Sequence, residues 1–370
     1  MAQQTGTRTT FNDTVGLKID LSDMRPFILT PDDTPLWDKL EKGSPTLPAV
    51  KHEWQDDTLP ASSDSITAAY TAAGGTITAN DYTKYKAGYV LKIDTELFRV
   101  TTTPTTSTVT VAGAYAGTSA ANHDDDSVVD IIGYAVSDGA DPAQFSTTNQ
   151  TLRYNLMQVF QEAITVSDLN QWATQYGIKD KFIYQVEKWM KVLAIRAEKT
   201  LIYGQRSEDS TNNTRLMGGL DYWITSEVTD ASSAALTETH INDAMKNVYD
   251  NGGTPNLMVI SPKQVQKLSG LVGTGAGQPV VFDPSGNMTI GKAVKRYTTD
   301  FGQLDVLVDR HVNANTIYLL DTSLMKIVQG QPFTLENLAR TGMARKAQIQ
   351  GWFSFELQAE DRHAIIKNLA

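Results

Sequence analysis

Residues 179–204 read KDKFIYQVEKWMKVLAIRAEKTLIYG, and this stretch decides the architecture. Phe182, Val186, Trp189, Met190, Leu193, Ala197 and Leu201 recur at spacings of three and four, the mark of one apolar stripe on an α-helix. Lys181, Lys188, Lys191, Arg196, Glu198 and Lys199 lie mostly off that stripe, and Glu187 with Lys191 makes a favourable i,i+4 pair. At about 1.5 Å per residue the element is about 39 Å long, well beyond an ordinary helix. A helix of that length, apolar on one side, has to lie across a sheet or another broad apolar surface.

Working outward toward the C-terminus, Thr237 or Thr239 can cap a helix whose apolar face is Ile241, Ala244, Met245, Val248 and Tyr249, stopped by Gly252-Gly253. A strand at 256–260 follows, then Ser261-Pro262 opens a helix carrying Val265, Leu268 and Leu271. The remainder reads as strand at 304–309, 316–320, 324–328 and 349–359. The predicted class is α+β with one long helix and mixed sheets.

Toward the N-terminus the chain returns to the helix through an expected strand pair, 154–160 and 162–166. Before it lie four short strand candidates at 90–94, 97–101, 108–111 and 128–132, separated by turn residues, which suit a small β-barrel or sandwich. Residues 51–56 alternate as a strand leading away from the first 50 residues. Those 50 hold scattered hydrophobes with five prolines and three glycines, and their only local order is a short helix at 34–40 begun by Pro35. Such an arm encloses no core, so its large apolar groups need burial against the subunit or a neighbour; the alternative is a frayed tail. By the same reading arm and loop lack an internal core and depend on contacts between subunits. Removing residues 1–45 is then expected to leave a folded subunit that no longer forms closed particles.

The 370 residues are 41% hydrophobic and 20% charged, an ordinary globular composition. No run of about 18 uncharged apolar residues exists, residues 1–10 lack the apolar centre of a secretory signal, and cysteine is absent, which suits a reducing compartment. Net charge is -10, against the basic character expected of a protein that wraps nucleic acid. The acid is concentrated: residues 51–150 carry 5 basic and 13 acidic side chains, whereas residues 151–370 carry 22 of each. The middle segment therefore reads as a separate, solvent-facing module.

Catalytic and ligand motifs are missing or incomplete. Gly273-Thr-Gly275-Ala-Gly277 has no following Lys-Ser/Thr for a phosphate loop. Asp283-Pro-Ser285-Gly-Asn287 lacks the glycine and the final acid of a calcium loop, with Met288 and Val294 in their places. Asp124-Asp125-Asp126 beside His123 reads as a solvated loop rather than a chelator. Five histidines show no zinc spacing. The 360–363 run, Glu-Asp-Arg-His, reads as a surface ion-pair cluster. No catalytic, cofactor or metal residue is expected, although dispersed residues can still converge.

The order of parts, with specific stretches, resembles a known family. These stretches are 28–36 (ILTPDDTPL), 53–57 (EWQDD), 158–167, 297–302 (YTTDFG) into 306–310 (VLVDR), 338–342 (LARTG) and 351–356 (GWFSFE). Together they are similar to tailed-bacteriophage major capsid proteins with the Hong Kong 97-like fold, in a branch with a β-insertion in the extended loop. The resemblance implies an N-terminal arm (1–50) and an extended loop (51–165) with a β-insert at about 76–135. It implies a peripheral domain (166–213 and 322–360) with the spine helix at about 179–204, and an axial domain (214–321 and 361–370).

It further implies hexamers and pentamers forming an icosahedral head around double-stranded DNA, contacted non-specifically. The chain would reside in the virion after assembly in the host cytoplasm. A separate scaffolding protein, a portal and a decoration protein are the implied partners, with no membrane and no cofactor. Candidate contacts between subunits are Phe27, Trp37, Trp54 and Arg99. Another phage structural role, a tail-tube or adhesin-like binding module, stays open as the alternative, as does an enzyme built from dispersed residues.

Overall fold

Asp180 starts the long helix: its carboxylate accepts the N–H groups of Phe182 (2.8 Å) and Ile183 (3.2 Å), two donors that a first turn leaves open. In a computed structural model this spine helix runs Lys181–Tyr203. The structure describes residues 33–43, 49–57, 59–60, 62–72, 74–135, 150–173, 180–272 and 296–370. Gly204 ends the helix, and a Cβ there would stand 2.4 Å from the Thr200 carbonyl oxygen and 2.5 Å from that of Met217. Phe182, Val186, Leu193, Ala197, Leu201 and Ile202 form its buried face. Met190, expected on the stripe, is half exposed, and Glu198, expected at the surface, is fully buried.

The broad surface beneath the helix is a four-stranded sheet in the order Glu41–Gly43, Met325–Asn337, Ala344–Leu357, Gln158–Ser167. Only the Glu41–Gly43 pairing is parallel. Ile164, Val166, Ile327, Ile349, Phe353 and Phe355 point into one core with the helix. The expected pair of strands at 154–160 and 162–166 is corrected. Thr151–Leu156 pairs with Lys51–Asp56, and Gln158–Ser167 is one strand whose partner is Ala344–Leu357. Its alternating burial of Phe160, Ile164 and Val166 needs the core side of a larger sheet, which a local hairpin would not supply.

A second, six-stranded sheet runs Val228–Asp230, Ala364–Lys367, Ile317–Leu320, Leu257–Ile260, Gly302–Val308, Arg296–Thr299. Its two central strands, Ile317–Leu320 and Leu257–Ile260, are buried at every position, which explains their unbroken apolar runs. Leu257, Val259, Tyr318 and Leu320 face the spine-helix core. Met258, Ile260, Ile317 and Leu319 face a second core with the helix Glu238–Asp250.

The chain divides into two compact units, Met1–Trp54 with Leu152–Ala370, and Gln55–Thr151. The second is an antiparallel sheet in the order Ser63–Ser65, Val128–Tyr134, Tyr89–Ile93, Glu96–Val100, Thr108–Ala112, Thr76–Thr78. Its outer strands meet through the Ile66–Ala79 bridge. There Thr67 N–H donates to the Thr78 carbonyl (2.8 Å) and Asn80 N–H to that of Ser65 (3.0 Å). Closure into a small barrel removes the open edges a sheet otherwise presents.

Ile66, Tyr70, Ile77, Leu91, Ile93, Phe98, Val109, Val111 and Val129 fill the barrel. The expectation that the loop has no internal core is therefore corrected: a closed six-stranded barrel buries its own apolar face. Of the two burials expected for the arm, Leu36, Trp37 and Leu40 take the one against the subunit, in the spine-helix core, and only their dependence on contacts between subunits is corrected. Deleting residues 1–45 strips that core and uncovers Glu198.

Candidate functional site

Residues 33–43 of the arm are fastened to the subunit at several points. Pro35–Lys39 forms a short helix, and residues 41–43 continue as a strand alongside Lys326, Ile327 and Val328. Trp37 packs edge to face on Phe353, centroids 5.1 Å apart. At the start of the turn, Leu36 N–H donates to Glu198 Oε1 (2.9 Å) and Trp37 N–H to Glu198 Oε2 (2.6 Å). Arg310 reaches the Asp33 carboxylate at 3.5 Å, and the His311 ring lies 3.2 Å from the Asp33 carbonyl oxygen.

Burial pushes the Glu198 carboxyl up to about 8, the two arm N–H groups pull it down, and the neighbouring Asp309 carboxyl adds to the rise. Nothing in the local sequence marks Glu198 as internal. Its partners lie 162 and 161 residues away.

Of the four candidate contacts, Phe27 lies outside the described residues. Trp37 and Trp54 are both buried within the subunit. Trp54 lies between Trp223 (centroids 5.1 Å) and His52 (5.7 Å), and His52 in turn bonds Glu356, which Lys326 also reaches at 2.9 Å. Arg99 is exposed on the outer surface of the barrel, opposite Val90 and Ala112. Trp37 and Trp54 are thus spent on internal packing, while Arg99 is open to a partner.

The surface expectation for residues 360–363 is corrected. Glu360 is buried and accepts from Thr225 N–H (3.0 Å) and hydroxyl (2.5 Å), Ser226 N–H (3.2 Å) and hydroxyl (3.0 Å), with Arg153 at 3.0 Å. Burial works to raise its carboxyl, and these donors outweigh it and hold Glu360 below the usual range. His363 is fully buried: its Nδ1 accepts from Asp321 N–H (3.2 Å), and burial pushes the ring down to about 4.

Inside the barrel, His123 turns away from the exposed Asp124, Asp125 and Asp126. Its Nδ1 is 2.8 Å from Asp94 and its Nε2 is 3.1 Å from Glu96, and Glu96 also accepts the N–H groups of Ala114 and Ala121, each at 2.8 Å. The glycine-rich run at 273–277 and the run at 283–287 lie outside the described residues.

Part of the surface open to a partner lies along the spine helix. A groove beside it is lined by Ile164, Val166, Lys181, Tyr184, Gln185 and Trp189. Lys188 and Lys199 are exposed on the same helix, and Arg196 pairs with Glu162 at 2.6 Å. Nearby in sequence, Leu169 and Trp172 are 70% and 81% exposed.

Comparison with known proteins places the chain in a class, the major capsid proteins, which are structural components of the virion. The model of the SU10 major capsid protein family matches residues 3–370, and the chain belongs to that family. No curated protein matches the sequence.

Among solved structures, the cyanophage A-1(L) capsid is similar at 15% identity over 64% of this chain and 85% of that one, TM-score 0.48. The capsid of a native GTA particle is similar at 11% over 64% and 80%, TM-score 0.45. The SrpI encapsulin of Synechococcus elongatus PCC 7942 is similar at 12% over 60% and 78%, TM-score 0.44. Family membership and the order of elements described above make the α+β fold a Hong Kong 97-like capsid fold.

Proposed function

We propose that this chain assembles into hexamers and pentamers of an icosahedral phage head enclosing double-stranded DNA. The observation that carries the reading is the family match over residues 3–370. In this reading residues 1–50 are the arm and 51–165 the extended loop, with the barrel as its β-insert. The peripheral domain takes 166–213 and 322–360, and the axial domain takes 214–321 and 361–370. A separate scaffolding protein and a portal direct assembly in the host cytoplasm, a decoration protein has the exposed surfaces to dock on, and DNA is met non-specifically. The role is structural, not enzymatic.

Charge indicates how copies meet. The 51–150 segment, with 13 acidic against 5 basic side chains, complements the exposed Lys188 and Lys199 of the spine helix. Complementary fields steer and register such contacts. The acidic barrel of one copy against the spine helix of another is the contact this favours, with Arg99 at its margin.

Negative-stain electron microscopy of the expressed chain, with and without a scaffolding protein, tests the reading. Closed shells of uniform size support it. Tubes or open rings of fixed diameter overturn it in favour of a tail-tube role.

A further inference from the structure

Two buried carboxyl groups meet where the arm is fastened. Glu198 and Asp309 are both fully buried. Both Glu198 oxygens are occupied by the arm N–H groups of Leu36 and Trp37. Asp309 Oδ1 accepts His311 N–H at 2.7 Å, while its Oδ2, also buried, has no hydrogen-bond donor among the described residues. Asp309 is a close neighbour of the Glu198 carboxyl. Two carboxylates are acceptors only, so they can bond each other only through a proton, and ionising both in a dry site costs far more than holding one proton there.

Among the described residues, no cation pairs with either carboxyl. On the spine helix, the Tyr203 hydroxyl donates to the His311 carbonyl at 2.9 Å. From the helix Leu220–Trp223, Asp221 adds negative charge and is occupied by the Tyr318 hydroxyl (3.0 Å) and Lys367 (3.6 Å). Arg310 and the His311 ring turn outward to Asp33 of the arm. Asp38 of the arm accepts the Thr34 hydroxyl (3.4 Å) and pairs with Lys42 (3.7 Å).

We propose that a proton held between Glu198 and Asp309 latches the arm's Pro35–Lys39 turn to the spine helix, so that arm docking is proton-linked. The sign follows from the direction of the shift. Docked, Glu198 holds its proton up to about 8; lifted into water, it returns toward the ordinary 4.5. The docked state therefore binds the extra proton, and docking weakens as pH rises from about 4.5 toward 8. Proton activity then sets how firmly a subunit holds the arm turn, and with it Leu36 and Trp37, against the spine-helix core.

Hydrogen–deuterium exchange of the full, unassembled chain tests this, read on the peptide covering residues 34–40 at about pH 6 and about pH 9. After correction for intrinsic exchange, protection in the native chain is expected to fall roughly tenfold or more, tenfold being the equivalent of one unit of pKa shift. Glu198→Gln is expected to stay flat, because the amide oxygen still accepts an arm N–H and its NH₂ supplies Asp309 with a permanent donor. A flat native profile, or a Glu198→Gln profile that falls in parallel with it, overturns the proposal. Should Glu198→Gln not fold, Asp309→Asn decides: a fall clearly smaller than the native one supports the shared proton, and a fall equal to the native one overturns it. The readout needs no shell, so failure of the assembly reading and failure of the latch are seen separately.

Discussion

The Trp37 ring stands edge-on to Phe353 with centroids 5.1 Å apart, and this contact joins the arm to the sheet beneath the spine helix. Trp37 is 6% exposed and Phe353 2%, so removing either ring leaves a cavity that the surrounding sheet cannot close. Trp37→Ala is expected to destabilise the subunit by about 3–5 kcal/mol, measured by chemical denaturation of the full chain. Leu59→Ala, at a residue 92% exposed, is the control and should stay within about 0.5 kcal/mol of the parent.

The barrel should behave as a folding unit. Residues 55–151 expressed alone are expected to unfold cooperatively, since the sheet closes on itself around its own core. Within it, Glu96→Ala takes the acceptor from the part-buried N–H groups of Ala114 and Ala121 and from the buried Nε2 of His123. An orphaned buried donor costs about 1–3 kcal/mol. Loss of dispersed amide signals in the NMR spectrum of the variant fragment is the expected outcome, and unaltered stability would show that water satisfies those donors.

His363 gives the main unit a defined acid sensitivity. Its folded value lies near 4 against an ordinary 6.5, so the unfolded chain takes up the proton first. Stability from this group is complete above about 6.5 and is lost as pH falls toward 4, by about 3 kcal/mol at about 1.4 kcal/mol per unit. Denaturation midpoints at about pH 7 and about pH 4.5 should separate strongly in the native chain. His363→Gln should narrow the gap; an unchanged gap would assign the acid sensitivity elsewhere.

Gly204 is held to glycine by backbone on both sides. Gly204→Ala sets a methyl group 2.4 Å and 2.5 Å from two carbonyl oxygens, and forcing the chain apart there should cost about 1–3 kcal/mol. Gly75→Ala, which meets nothing within 4 Å, should leave the melting temperature nearly unchanged.

The amino-acid order alone established the elements whose evidence is local. The spine helix was legible because its apolar residues repeat at helical spacing, the barrel strands because they alternate between turn residues, and the acidic character of residues 51–150 because charge is countable. The long hairpin of Met325–Asn337 and Ala344–Leu357 was read only as fragments at 324–328 and 349–359, since Gln329, Gln331, Gln348 and Gln350 interrupt its apolar pattern. The pairing of distant strands into those sheets and the closing of the barrel came from tertiary structure. So did the burial of Trp37, Trp54, Glu198, Asp309, Glu360 and His363. A carboxyl or imidazole is tolerated inside only where donors and acceptors from remote segments converge on it, and that convergence leaves no periodicity in the neighbouring residues.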